Sequence, residues 1–519
     1  MTDAMHAIVT HPHLTPSQKT LALAAQADAA LPYVPCSRAL VAAMEQGVIG
    51  DMFEGHAPFK PRYVLPDYAR FLKRGSEYLA LTPATDLEDA LMKLMVLYHH
   101  VPSVTNIPVF LGYLDQLLLP YCDDVSDEHL YQALKRFWIQ LDRTLPDAFM
   151  HANIGPDDNR VCRMILRIDA ELQQVAPNLT LMVDPSRTPR TLVRQATDNI
   201  IACSKPHIAN WPVHQATFGD AEAHSPNVGI VSCYNALPIG GGANTLVRLN
   251  LKKVAEEAND LSTLLSHTLP HYGALMVELI DARSHFLHQE SHFFNSFLVQ
   301  EGLIDEKKFV PMFGVYAMAE AVNTLMARQG LCGEYGHDAA ANEMAHDITK
   351  ALSTFVAETP VKYGWRGRAL LHAQGGLSID QGITPGVRIR YGYEPDPVTH
   401  LQALAPLHSY FEAGVSEILT LDDTIKGNPD ALTDLCLGAL QSGLREFTAN
   451  TDGTDLVRIT GYMVKKSEIA QFKQSGSRTN TTVLGAEASE MTTVTARQPR
   501  VVSAEFLAGA RWTDTHEPS

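Results

Sequence analysis

Apolar residues recur at helical spacing through the first 150 positions of the chain. Leu87, Leu91, Leu94, Met95 and Tyr98 fall on one side of a helix that the capping box Thr85-Asp-Leu-Glu88 opens and Pro102 halts. Ser126 opens a second, with Leu130, Leu134, Phe137 and Leu141 together. Past about residue 175 the period shortens. Leu179–Val183, between Pro177 and Pro185, Gly229–Cys233 and Thr245–Leu251 all predict strands. In the last, Val247, Leu249 and Leu251 alternate with Arg248 and Asn250, a pattern with one buried and one polar face. Helical spacing returns over 274–301, 308–328, 338–357 and 429–447. GVRIRYGY at 386–393 predicts another strand, and Leu456–Gly461 follows the turn-rich stretch Asn450–Thr454. The Ser- and Thr-rich tail at 475–497 reads as exposed. Strands separated by helices after a helical N-terminal region predict an α/β architecture, in the form of a barrel.

Composition narrows the function. The 519 residues can bury one large enzyme domain with appendages or two to three ordinary domains, and 45% apolar with 19% charged residues is a globular balance. A net charge of -17 without any Lys/Arg block excludes general affinity for nucleic acid polymers or anionic lipid, while leaving room for a nucleotide-sized ligand. No run approaches the roughly 18 apolar residues of a membrane span, and Met1–Thr15 lacks a secretory pattern, so a cytoplasmic location is expected. Seven dispersed cysteines without a Cys-x-x-Cys pair fit reduced thiols better than disulfides, zinc or an iron–sulfur cluster. His285, His288 and His292 fall on adjoining faces of a predicted helix and could bind metal, but core or surface histidines are the better reading; His337, Glu343 and His346 lack the His-Glu-x-x-His spacing and read as part of a solvated helix. No metal site is expected.

Two segments carry chemistry. Arg458-Ile-Thr-Gly461-Tyr462 resembles the Arg-[Val/Ile]-x-Gly-[Tyr/Phe] signature near the C-terminus of glycyl radical enzymes. An α-carbon radical is stabilised when amide and carbonyl conjugate through a locally planar backbone, a geometry that any Cβ would crowd. The second segment is Val231-Ser-Cys233-Tyr-Asn-Ala-Leu-Pro-Ile-Gly240-Gly-Gly, which resembles the cysteine loop of anaerobic ribonucleotide reductases. An S–H bond is close in strength to the glycyl Cα–H bond, so a hydrogen atom can pass between the two almost reversibly. Cys203 is the competing thiol, but no Gly-rich loop follows it.

With Pro177–Thr180, Gly302–Asp305 to Asn323 and Leu407–Ser416, these segments resemble the YjjI-type family of glycyl radical proteins over roughly residues 95–500. The resemblance implies a ten-stranded α/β barrel of two half-barrels. Residues 1–428 would form the helical region and core with the cysteine loop, and 429–519 a C-terminal glycyl radical domain. It implies further that a separate radical-SAM activase, with its own [4Fe–4S] cluster and S-adenosylmethionine, places a glycine radical on Gly461. Cys233 would then become a thiyl that attacks a small polar molecule. Arg458 and Tyr462 would brace the glycine loop, and Asn235, His207, Asn210, His214 and His408 are candidates to line the pocket. A homodimer is left open.

Departures from the wider superfamily matter equally. Members that dehydrate diols or cleave C–N bonds carry a glutamate base two residues after the cysteine, where this chain has Asn235. Formate-lyase types need adjacent cysteines, and here Ser232 precedes Cys233. The four-cysteine zinc site of anaerobic ribonucleotide reductases is missing from the sequence. The competing readings are a non-catalytic glycyl radical homologue or repair partner of another such enzyme, and an α/β binding protein without radical chemistry.

Overall fold

A computed structural model describes residues 2–28, 34–51, 59–102, 109–144, 150–219, 226–373, 382–459, 463–476 and 500–502. Among these, fifteen strands follow in order: β1 (Ile49–Asp51), β2 (Tyr63–Leu65), β3 (Phe110–Tyr113), β4 (His151–Ile154), β5 (Asn178–Val183), β6 (His207–Asn210), β7 (Val228–Val231) and β8 (Asn235–Pro238). The remainder are β9 (Gly241–Asn250), β10 (Phe309–Tyr316), β11 (Leu370–Ala373), β12 (Glu417–Leu421), β13 (Glu446–Thr451), β14 (Leu456–Arg458) and β15 (Met463–Lys465).

Eleven strands make two mixed sheets. In one, β9, β10 and β11 run parallel, and β1 and β2 both run against β9. The other has the order β12-β13-β6-β5-β4-β3, with β3 to β6 parallel, β13 against β6, and β12 along β13. The α/β class is therefore confirmed, as two sheets of five and six strands; among the described residues no strand pairing joins them. Single backbone bonds do approach that edge, since Ala373 N donates to Gly414 O and Ala413 N to Leu371 O, just ahead of β12. The pairs β7–β8 and β14–β15 are separate hairpins.

Every residue of β5, β9 and β10 is buried, as in strands covered on both faces. That overturns the half-polar expectation for β9. Arg248 lies over the Tyr316 ring at 4.6 Å and Asn250 is buried too, because this face meets protein rather than water. The triple glycine leading into β9 serves close packing: a Cβ on Gly242 would sit 2.0 Å from Tyr63 O on β2.

Several boundaries also shift. The first predicted helix runs Leu87–His99, and Asp86 rather than Thr85 caps it, accepting from Asp89 N. Residues 308–328 split into β10 and the helix Met318–Arg328, since Phe309–Tyr316 is rich in β-branched and aromatic residues and Pro311 sits at a register shift within the strand. The helix predicted over 429–447 ends at Gln441, where the chain turns through Gly443 into β13. The 274–301 segment is the helix Leu269–His285 followed by short turns that break at His292, whose φ is +55°. GVRIRYGY is no strand, with Gly386 and Gly392 both at positive φ and Arg388 drawn inward. Beyond residue 476 most of the Ser/Thr-rich tail lies outside the described residues.

Candidate active site

The β7–β8 hairpin fills the space between the two sheets. Its antiparallel register closes with Val231 opposite Asn235, leaving Ser232-Cys233-Tyr234 as the turn. Both neighbours of the cysteine are left-handed, Ser232 at φ +50° and Tyr234 at +64°, a strained arrangement costing on the order of 1–3 kcal/mol each. Cys233 stands at the middle of the three-residue turn. Cys233 retains 9% of its surface accessible, against 0% for Ser232, 1% for Tyr234 and 0% for Asn235, the most of the four.

Polar rungs set the hairpin's depth. Tyr113 OH donates to Val228 O at 2.8 Å, and the Asn153 amide grips Ile230 at both backbone groups, 2.9 and 2.8 Å. Further along, His151 lies against the Ser232 backbone. The hairpin thus runs from the C-terminal ends of β3 and β4 towards the N-terminal end of β4, where Cys233 sits. Tyr63 OH donates to Ser232 Oγ at 3.4 Å, and Ser232 Oγ to Cys233 Sγ at 3.9 Å, tying the turn to β2 of the other sheet.

The β14–β15 hairpin reaches that same end. Arg458 is fully buried, its Nη1 donating to Asn178 Oδ1, at the start of β5, and Nη2 to Ser204 O, just ahead of β6, both at 3.3 Å. Its backbone is clamped by Asn450, whose side chain bonds both Arg458 N and O. Burial pulls the Arg458 guanidinium down to about 10, while Tyr234 and Glu446 oppose that fall. Tyr234 meets His207 edge to face at 4.6 Å between ring centroids, and His207 stacks on His151 at 5.9 Å. Burial, with the Arg458 charge behind it, holds His151 down to about 3, so the imidazole is neutral. Gly461 and Tyr462 themselves lie outside the described residues.

The candidates named from sequence therefore separate. His207 stands with Cys233 and Arg458. Asn235 turns back on its own hairpin, donating to Val231 O at 3.0 Å. Asn210, at the opposite end of β6, ties down the turn after the Pro429–Gln441 helix through Leu440 O and Leu444 O. His408 accepts from Arg445 N at 3.2 Å, and His214 lies beside the same arginine. Cys203 ends the helix Arg190–Cys203 in a small apolar core with Val457, Ile459 and Met463, its thiol donating to Asn199 O and pushed up to about 12 by burial. Among the described residues no cluster of three His, Cys, Asp or Glu side chains is arranged to hold a metal. Sequence reasoning did not single out five residues around the turn: Tyr63, His151, Tyr234, Arg388, whose guanidinium lies 5.6 Å from the Tyr234 ring centroid, and Glu446, whose Oε1 is 3.5 Å from His207 Nδ1. Of these only Tyr234 carried a signal, its place beside Cys233.

The α/β fold built on these two mixed sheets is similar to that of solved glycyl radical enzymes. A protein from Roseburia inulinivorans, solved for its dehydration of 1,2-propanediol, superposes with a TM-score of 0.71 at 11% identity, over 96% of this chain and 88% of that one. The anaerobic ribonucleotide reductase of Thermotoga maritima gives 0.64 at 11% identity, over 84% and 85%. Within that class the sequence profile described as "Glycyl radical enzyme YjjI-like" matches residues 14–500. YjjI of Escherichia coli K12 is 58% identical over 499 residues, 96% of each chain. The chain belongs to the YjjI-like glycyl radical enzyme family.

Proposed function

We propose that this chain is a glycyl radical enzyme in which a radical stored on Gly461 is passed to Cys233, and that the resulting thiyl abstracts hydrogen from a small polar organic substrate. What supports this reading is a convergence. Tyr234, next to Cys233, packs edge to face on His207, and the Arg458 charge, three residues before Gly461, bears on the titration of Tyr234, His207 and His151 alike. One hairpin arrives from the C-terminal ends of the strands and the other from their N-terminal ends. The two sheets are then the halves of a closed barrel with the loops meeting inside it.

A separate radical-SAM activase, holding S-adenosylmethionine and a [4Fe–4S] cluster, removes the hydrogen atom from Gly461, and the 429–519 segment shifts to admit it. The glycyl carbon then takes the Cys233 hydrogen, regenerating Cα–H and leaving the sulfur radical. The thiyl takes a substrate hydrogen and returns it to the product radical, so no electron is gained or lost across the cycle. The alternative of a non-catalytic homologue is disfavoured, since such a protein has no use for a cysteine held at the tip of a strained turn beside buried histidines.

Isotope exchange tests the pairing without knowledge of the substrate. The electron paramagnetic resonance doublet of a glycyl radical arises from its remaining α-hydrogen. In D2O the thiol becomes S–D, and reversible transfer between Gly461 and Cys233 replaces that hydrogen, collapsing the doublet to a singlet. Collapse in the wild type and in Cys203→Ala, with a persistent doublet in Cys233→Ala, is the expected result. A doublet that still collapses in Cys233→Ala would remove Cys233 from the mechanism, and no doublet after activation would remove Gly461.

A further inference from the structure

A cavity of about 610 Å³ lies at the other end of the cysteine hairpin. It forms where the end of β2, the helix Tyr68–Arg74, β3 and the hairpin base at Pro238 and Ile239 come together. Val228 pairs with Pro238 at that base and Val231 with Asn235 at the tip. Three strand steps, about 10 Å, therefore separate this wall from the turn that carries Cys233. The volume falls within the roughly 300–1,000 Å³ of small-molecule sites.

Aromatic side chains dominate the lining. Tyr68, Phe110, Tyr113, Phe218 and Trp365 all contribute to the wall, with Phe218 and Trp365 5.2 Å apart between ring centroids. The polar groups among them are already taken: Tyr68 OH donates to Phe110 O and Tyr113 OH to Val228 O, both at 2.8 Å, and Gln116 Nε2 donates to Gly155 O at 2.6 Å. Asp67 accepts from Arg70 N at 2.9 Å as the cap of its helix. What remains for a ligand is ring and aliphatic surface. The charged residues of the lining are Lys73, Lys308 and Asp67, two cations against one anion in a chain whose net charge is -17. Both lysines are exposed, which puts their ammonium groups at the mouth, and Lys308 Nζ rests on Ile239 O at 3.4 Å.

The geometry points to a second binding site, separate from the cysteine centre, for a small molecule that combines an aromatic ring with a single carboxylate. The ring lies among the aromatic side chains, and the carboxylate meets the two ammonium groups at the mouth. One negative charge matches the excess of one positive charge in the lining, whereas a triphosphate brings more charge than two lysines neutralise. The site also touches the hairpin. Tyr113 holds Val228, and Phe110 packs so closely that a Cβ on Gly229 would lie 2.8 Å from its ring. An occupant therefore bears on the residues that set the depth of the cysteine turn without reaching the thiol. The site does not depend on the radical reading of Gly461 and Cys233.

Isothermal titration calorimetry on the full, non-activated chain tests this with 2-naphthoate as the probe. The wild type and Cys233→Ala should bind one equivalent with the same affinity. Ala69→Trp, at an exposed position of the lining, should abolish binding by filling the space. Lys73→Gln with Lys308→Gln should weaken 2-naphthoate about 10-fold while leaving the uncharged 2-naphthamide unchanged. The substituted lysines are exposed, so this double variant should melt with the wild type and decides the matter even where Ala69→Trp fails to fold. An absence of binding at millimolar 2-naphthoate, equal affinity in the double lysine variant, binding that survives in folded Ala69→Trp, or ATP binding more tightly than 2-naphthoate overturns the assignment. Loss of binding in Cys233→Ala overturns it too, by placing the ligand at the thiol.

Discussion

Alanine at position 414 probes how tightly the cysteine turn is held. Gly414 adopts φ +114°, and a Cβ there would lie 1.8 Å from Tyr234 O and 3.1 Å from Ala236 N. Real Cβ contacts stop at about 3.0 Å, so the carbonyl would have to retreat by at least 3.0 − 1.8 = 1.2 Å. The 411–414 loop cannot yield instead, being pinned to β11 through Ala413 N to Leu371 O and Ala373 N to Gly414 O. Tyr234 is already strained and bonded to Cys233, so the sulfur moves with it. A misplacement of about 1 Å at a reacting atom costs roughly 100-fold in rate. Overpacking and the forced backbone add about 2–6 kcal/mol of lost stability. The assay is doublet collapse in D2O after anaerobic activation: Gly414→Ala should give the radical in good yield, because the glycine hairpin is untouched, but exchange it about 100-fold more slowly. Exchange at the wild-type rate would refute the claim that this contact positions the thiol.

Two further outcomes follow from buried charge. Lys205 Nζ bonds Asp169 Oδ1 at 2.6 Å with both side chains fully buried, so Lys205→Met should cost about 3–5 kcal/mol in urea unfolding by stranding the aspartate, and Lys205→Met with Asp169→Leu should regain most of it; equal losses in the single and double variants would contradict this. Burial holds His151, His214 and His408 down to about 3 and His372 to about 4, whereas unfolded imidazoles protonate near 6.5. Their depressed values mean that stability present above pH 6.5 is lost as pH falls towards 3, by about 1.4 kcal/mol per pH unit per histidine. Urea midpoints at pH 7 and pH 5 should show this slope, and His408→Asn should flatten it by about one proton; an unchanged slope would place His408 outside the linkage.

Much of the site was readable residue by residue. Helical and β periods located the helices 87–99 and 127–144 and strands β5, β7 and β9, since local spacing decides which face is apolar. Where the chain is buried on both sides the pattern loses its meaning: helical spacing spans β10, and alternation gives Arg248 a solvent face although it is buried. Periodicity reports one boundary between core and solvent, and these strands have none.

By itself the sequence determined the family, through the Arg458–Tyr462 signature and the Ser232–Tyr234 turn, because a radical needs a glycine and hydrogen transfer needs a thiol, requirements written in single residue types. The tertiary structure alone decided which histidine accompanies the cysteine. His207 and His408 look alike as letters, yet one faces Tyr234 and the other caps Arg445, and Glu446 joins His207 across a strand pair 239 positions apart in sequence (446 − 207). Such meetings depend on the register of long-range strand pairing, and no local spacing encodes them.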